Sequence, residues 1–228
     1  MVTSVVLLSG GLDSAVLLAS EATRDTVLPI YIEVGLAWEP AERQMLALLL
    51  AAPAFQRNVG TLETLAFDMR DVYPPTHWAI TGTPPAYDTP DEDVYLAGRN
   101  LVLLTKAGVV AARRHASRIA LGPLAGNPFP DATPEFFAAM ARALSLGLAS
   151  DIELATPFAA LHKEDVIRLG ASLGVPLELT LSCMNPIESA GGQAPWHCGL
   201  CSKCRERRDG FAAAGVADLT TYAHASPR

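Results

Sequence analysis

Ser9-Gly10-Gly11-Leu12-Asp13-Ser14 places two glycines, two hydroxyls and a carboxylate within six residues, a set suited to holding a polyphosphate. Glycines let the backbone approach an anion closely, and amides exposed at a helix N-terminus point their N–H groups at it. Ser9 and Ser14 add hydroxyl donors. Asp13 would be repelled by bare phosphate, so its role is either to meet a magnesium ion bridging the phosphates or to hold the loop's shape. The competing reading is an ordinary glycine turn with Asp as a helix N-cap. Five specified residues between a strand and a helix weigh against it. The Gly-Lys-Ser/Thr ending of a Walker A motif is absent.

A second constellation lies near the C-terminus. Cys183 is followed after fourteen residues by Cys198-Gly199-Leu200-Cys201-Ser202-Lys203-Cys204. Four thiolates are enough to close a tetrahedral zinc shell with no open position, which implies a structural metal whose binding energy enters folding directly. An iron–sulfur cluster and a redox pair of neighbouring cysteines are the alternatives. His197 could replace one thiol, although a histidine beside a complete cysteine set is more often a neighbour. These are all the cysteines of the chain, and their grouping suits a metal in a reducing compartment better than disulfides.

The elements that must carry these groups alternate. Val5-Val6-Leu7-Leu8 is a short apolar run that stops at the glycines, and a helical pattern starts through Ala15-Val16-Leu17-Leu18. Further strands are expected at 27–32, 119–122 and 152–155. Helices are expected at 41–51, 100–112, 134–146 ending before Gly147, and 164–173. Strands alternating with helices imply an α/β fold, a doubly wound parallel sheet with helices on both faces and a small C-terminal zinc-binding segment. The division expected is 1–176 for the main domain and 177–228 for the segment packed on it. Residues 71–93 contain five prolines and little periodicity, so they read as a long loop over the edge of the sheet.

Half of the 228 residues are apolar, enough for a full core. A net charge of −7 argues against broad binding to a nucleic-acid backbone and favours a small-molecule substrate. No uncharged apolar stretch of about 18 residues occurs, and no basic region precedes an apolar one at the N-terminus, so no membrane association and a cytoplasmic location are expected.

The phosphate loop resembles that of the N-type ATP pyrophosphatase, or PP-loop, superfamily, whose adenine nucleotide alpha hydrolase-like fold is Rossmann-like and whose members cleave ATP between the α and β phosphates. Several segments narrow the resemblance: 177–183, His197 to Cys204 with Arg207 and Gly210-Phe211, Gly98-Arg99-Asn100-Leu101, Pro130-Asp131 with Pro134-Glu135-Phe136, and Leu161-His162-Lys163-Glu164. Together they are similar to the 7-cyano-7-deazaguanine synthase (QueC) family, over nearly the whole chain. The resemblance implies an ATP-dependent carbon–nitrogen ligase of queuosine biosynthesis. It would convert 7-carboxy-7-deazaguanine to the nitrile, first adenylating the acid for attack by ammonia and then dehydrating the amide.

On this resemblance Leu7, Leu8, Ser9, Gly10, Gly11, Leu12, Asp13, Ser14, Ala15, Val16 and Leu17 line the ATP site. Asp13, Ser14, Arg99 and Lys163 are the catalytic candidates, Arg99 and Lys163 as cations for the α-phosphate. Arg99 near a helix start is unhelpful to the helix dipole, which favours a functional role; Lys163 is one of three lysines. The chain departs from the family pattern at 31–39 and 122–131, where base-recognising groups would lie. Asp131, Asn127, Phe129 and Glu33 are the candidates there, with Glu39, Trp38 and Trp78 as further possibilities, the aromatic residues being more often core. The cofactors implied are structural Zn2+ and ATP with Mg2+. The partners are a deazapurine carboxylate, ATP and ammonia, free ammonium being favoured because no glutaminase-like domain is recognised, with a homodimer as the candidate assembly. A related enzyme using another carboxylic acid is one alternative. A zinc-stabilised nucleotide-sensing or nucleic-acid-binding module is another, supported by Arg205, Arg207 and Arg208.

Overall fold

A computed structural model describes residues 4–189 and 194–227. Val5 and Val6 are both fully buried, and they point to opposite sides because side chains alternate along a strand. Their strand, β1 (Ser4–Leu7), is the centre of a five-stranded sheet with β2 (Val27–Glu33), β3 (Glu63–Ala66), β4 (Arg118–Ala120) and β5 (Glu153–Ala155). The order is β3-β2-β1-β4-β5, and every neighbouring pair is parallel. Register places Val5 opposite Leu28 on one side and Ile119 on the other.

Helices cover both faces, as the continuous apolar runs of β1 and β2 require. On the side of Val5 lie α4 (Arg99–Arg114) and α5 (Pro134–Leu148), through Leu104, Ala107, Ala111, Phe137 and Leu144. On the side of Val6 lie α1 (Leu12–Ala22), α6 (Lys163–Ser172) and α7 (Ser202–Ala214), joined by Leu46 and Leu49 of α2 (Glu39–Leu50). Phe211 of α7 belongs to the same cluster as Val16 and Leu18, and the four cysteines belong to the cluster around Val5. Residues beyond 176 therefore share both cores of the sheet. The chain runs outward from β1 to β3 and then returns to β4, so the carboxyl ends of β1 and β4 form the switch point where doubly wound sheets bind ligands.

The structure adds one element to the sequence reading and alters two. β3 was not anticipated: Glu63-Thr64-Leu65-Ala66 is an edge strand with alternating exposure, too short and mixed to stand out. Helix α5 does not stop before Gly147; it continues to Leu148, and Ala149 takes the left-handed conformation (φ 48°) in which glycine is usual. Residues 71–93 are largely irregular but include a turn of α-helix, α3 (Trp78–Thr81), and the start of a 3-10 turn (Asp91–Val94), and bury Tyr73 and Ala79. Among the described residues, no helix is long and apolar enough to cross a membrane.

Candidate active site

The phosphate loop leaves β1 at the switch point. Gly10 sits at φ +79°, and a Cβ there would come within 3.1 Å of Leu46, so both conformation and space call for glycine. The loop is tied to itself. The Ser14 hydroxyl donates to the Gly11 carbonyl (3.0 Å) and accepts from the Ser9 amide (3.3 Å), while the Gly11 amide donates to Ser9 Oγ (3.3 Å). The Leu181 amide, from far along the chain, donates to the Gly10 carbonyl at 2.8 Å. Helix α1 opens on Gly11 without a side-chain cap, which leaves its first amides to an outside acceptor.

Asp13 is not the N-cap of that helix. Both of its carboxylate oxygens accept from Lys163 Nζ, at 2.9 and 2.7 Å. Lys163, at the first position of α6, also meets Glu206 (2.8 Å), and Glu206 pairs with Lys203 (2.6 Å), both on α7. Burial alone would pull the Lys163 ammonium down, but Asp13 and Glu206 outweigh it and hold its pKa above the usual lysine range. Gly210 makes the arrangement possible, because a Cβ there would lie 2.5 Å from Lys163 Cγ.

Two adjoining cavities, about 290 and 260 Å³, flank the loop. Ser9, Gly11, Asp13, Arg99 and Phe129 border both. The larger runs along the strand ends beside Ile30, Tyr31, Ile32 and Leu121; the smaller lies beneath Trp38, Glu42, Lys163 and Glu206. Arg99 starts α4 at this junction, and its Nε is buried without a hydrogen-bond partner. Buried polar groups are seldom left unpaired, so this N–H is a donor that a bound group could meet.

Of the eleven residues placed on the nucleotide by the sequence, Leu7, Leu8, Ser9, Gly11, Asp13 and Ser14 border the larger cavity and Leu12 the smaller. Ala15, Val16 and Leu17 face the core, fully buried, and Gly10 shapes the loop. Asn127, Phe129 and Asp131 border the larger cavity, and Phe129 stacks on Tyr95 at 5.3 Å. Asp131 is buried, accepts the Asn100 amide at 3.2 Å and so faces the positive start of α4; burial pushes its carboxyl up. The Asn127 side chain accepts the Phe129 amide at 2.9 Å, shaping its own turn. Glu33 is not brought to the cleft: it pairs with Arg43 at the end of β2 and borders neither cavity. Glu39 accepts the amides of Val34 (2.7 Å) and Gly35 (3.1 Å), holding the turn after β2. Trp38 and Trp78 stack on each other at 5.7 Å and 9°, both bordering the smaller cavity. Sequence reasoning missed Tyr31, Glu42 and Tyr95. Glu42 lies three residues into α2, where only the fold shows that it meets Tyr31, whose hydroxyl donates to it at 2.7 Å.

The four cysteines converge, all buried, with sulfurs within 4.8 Å of one another. Cys198 and Cys201 lie 3.9 and 3.5 Å from Cys204, close to the roughly 3.8 Å edge of a tetrahedron with metal–sulfur bonds of about 2.3 Å. The amides of Asn185 and Cys198 donate to Cys183, and that of Leu200 to Cys198, which favours thiolate charge. The set fits a metal ion. His197 is a neighbour: its Nε2 accepts the Ser182 amide at 3.1 Å, and burial keeps the ring neutral. The arginines are engaged internally. Arg207, 1% exposed, donates to Thr220, Thr180, Ser182 and the Leu177 carbonyl. Arg205 donates to the Thr89 carbonyl, and Arg208 to those of Gly199 and His224. The three arginines thus have structural partners within the chain.

The chain is similar to known proteins over most of its length. The family model described as queuosine biosynthesis protein QueC matches residues 3–215. A protein of Methanopyrus kandleri named 7-cyano-7-deazaguanine synthase is 35% identical over 97% of this chain and 99% of its own length. One of Methanoculleus marisnigri with the same name is 33% identical over the same shares. A solved structure described as a predicted subunit of tRNA methyltransferase from Methanocaldococcus jannaschii has a TM-score of 0.45 at 18% identity, over 75% of each chain.

Proposed function

The chain belongs to the family of the queuosine biosynthesis protein QueC, and on that premise we propose that it is an ATP-dependent 7-cyano-7-deazaguanine synthase acting on 7-carboxy-7-deazaguanine and ammonia. One observation carries the reading: a phosphate loop with uncapped amides opens between two cavities that share Arg99. The larger, walled by Ile30, Ile32 and Leu121, takes the nucleoside of ATP, and the smaller takes the planar acid beside Trp38. On this assignment Asn127 and Asp131 stand on the nucleotide side.

A carboxylate resists nucleophiles because it is anionic, and its transfer to the α-phosphate neutralises it and creates a leaving group. The loop amides and the Ser9 and Ser14 hydroxyls hold the departing pyrophosphate, while Arg99 and Lys163 offset charge growing at the α-phosphate. Asp13, a hard oxygen ligand beside the loop, would hold magnesium, which lowers the charge of the phosphates. With magnesium on Asp13, Lys163 would be free to turn toward the nucleotide. The four cysteines would hold zinc as a structural ion, whose thiolate charge the buried Arg207 guanidinium complements. Free ammonium is the nitrogen source. The location is cytoplasmic, where thiols stay reduced.

Incubation of the full chain with magnesium, ATP, ammonium and 7-carboxy-7-deazaguanine should give the amide and then the nitrile, with AMP and pyrophosphate. Asp13→Asn should slow AMP release by about 10²-fold or more. Mass spectrometry that finds neither amide nor AMP with the wild type removes this reading.

A further inference from the structure

We propose that Glu42 is the base that accepts the nitrogen proton as the amide becomes the nitrile, with the Tyr31 hydroxyl orienting its carboxylate; this rests on the function proposed above. Glu42 is only 5% exposed, yet it borders the smaller cavity with Asp13, Lys163 and Arg99. A carboxyl buried only to pack would face the core clusters, and this one faces the cleft. The Tyr31 hydroxyl, reaching from β2, donates to Oε2 at 2.7 Å and fixes which way the carboxylate turns. The other acids of that cavity have partners of their own: Glu206 is paired with Lys163 and Lys203, and Asp13, paired with Lys163 here, is the residue that would hold magnesium.

Burial pushes the Glu42 carboxyl up to about 7, with Arg99, Tyr31 and Trp38 opposing the rise and Glu39 adding to it. The groups facing it are therefore Tyr31 from β2, Arg99 from α4 and Glu39 on its own helix. Asp13, Lys163, Lys203, Glu206 and Arg207 lie around the same cavity. A base of this strength is partly charged near neutral pH and still accepts a proton readily.

In the second activation the amide oxygen bonds to the α-phosphorus and pyrophosphate leaves. The nitrogen then loses a first proton to water, which leaves a neutral imidate, and a second as the nitrile forms. The carbon–oxygen bond breaks, its electron pair departs with AMP, and the carbon–nitrogen bond becomes triple. The last proton passes to Glu42 and from there to water.

The experiment supplies isolated 7-amido-7-deazaguanine with magnesium and ATP, and in parallel measures ATP–pyrophosphate exchange driven by the acid. Glu42→Gln should lose nitrile formation by about 10²-fold more than it loses exchange. Tyr31→Phe removes a contact that lowers the Glu42 value, so the acidic limb of its nitrile-forming pH profile should move to higher pH. Nitrile formation by Glu42→Gln at the wild-type rate overturns the proposal, as does equal loss of exchange and nitrile. If Glu42→Gln fails to fold, an unmoved limb in Tyr31→Phe overturns it instead. A wild type that makes no nitrile sinks the proposed function itself, a separate outcome.

Discussion

Gly210 governs a side chain it does not own. Alanine there would gain up to about 1 kcal/mol of helix propensity in α7, but its Cβ would press on Lys163 Cγ at 2.5 Å and Ile167 at 3.0 Å, an overpacking that costs about 1–3 kcal/mol. The lysine tip must move from Asp13. Gly210→Ala should therefore lower kcat/KM by about tenfold or more, from a 1 Å displacement of a positioned group, while melting within a few degrees of wild type. Steady-state AMP release checks this, and unchanged kinetics would separate Lys163 from the chemistry. Glu42 carries a cost of the opposite kind. Its folded value of about 7 lies above the ordinary 4.5, so the folded chain keeps a proton there that the unfolded chain has lost. The stability from protonated Glu42 is full below about pH 4.5 and disappears as the pH rises through 7, a swing of at most about 3 kcal/mol. Glu42→Gln should melt higher than wild type at pH 8 and no higher at pH 4.5. Parallel melting curves across that range would rule out burial as the cause.

At the scale of elements, a buried cation is one of the ties that hold α7. Arg207 ties it to residues 177–182 and to Thr220 through four acceptors, none of them a carboxylate. Arg207→Met leaves those acceptors unpaired and should cost about 3–5 kcal/mol, and Arg207→Lys should recover little because a single ammonium lacks the planar fork. Thermal melts read both. Arg207 was legible in sequence only as a charge beside cysteines, since nothing local tells a buried arginine from a phosphate-binding one. The phosphate loop and its helix were legible because their signals are local: glycines, hydroxyls and an apolar period within a dozen residues. β3 was not, because an edge strand covered on one side has little apolar content to betray it. Helix α5 passed Gly147 because Ala149 accepted the strained turn instead, a tertiary choice that propensity does not reveal.

At the scale of the whole molecule, the cysteine set and the catalytic cleft share a helix: Cys204 and Glu206 are two residues apart on α7. Metal removal should therefore expose all four thiols together and abolish AMP release in the same titration. Reaction with a thiol reagent, with and without a chelator, tests this; four fast-reacting thiols in untreated protein would mean that no metal protects them. The cysteine ligands could be read from spacing alone, whereas the contacts of Lys163 with Asp13 and of Tyr31 with Glu42 join distant segments and needed the fold. The pairing of Asp13 with Lys163 spans 150 residues, and the Gly10 carbonyl waits for Leu181. Because a ribosome delivers the glycine loop about 150 residues before Lys163 and still longer before Leu181, a growing chain has no finished grip on ATP until those partners have followed. Nucleotide held by the completed loop therefore cannot steady the strands that are made before them.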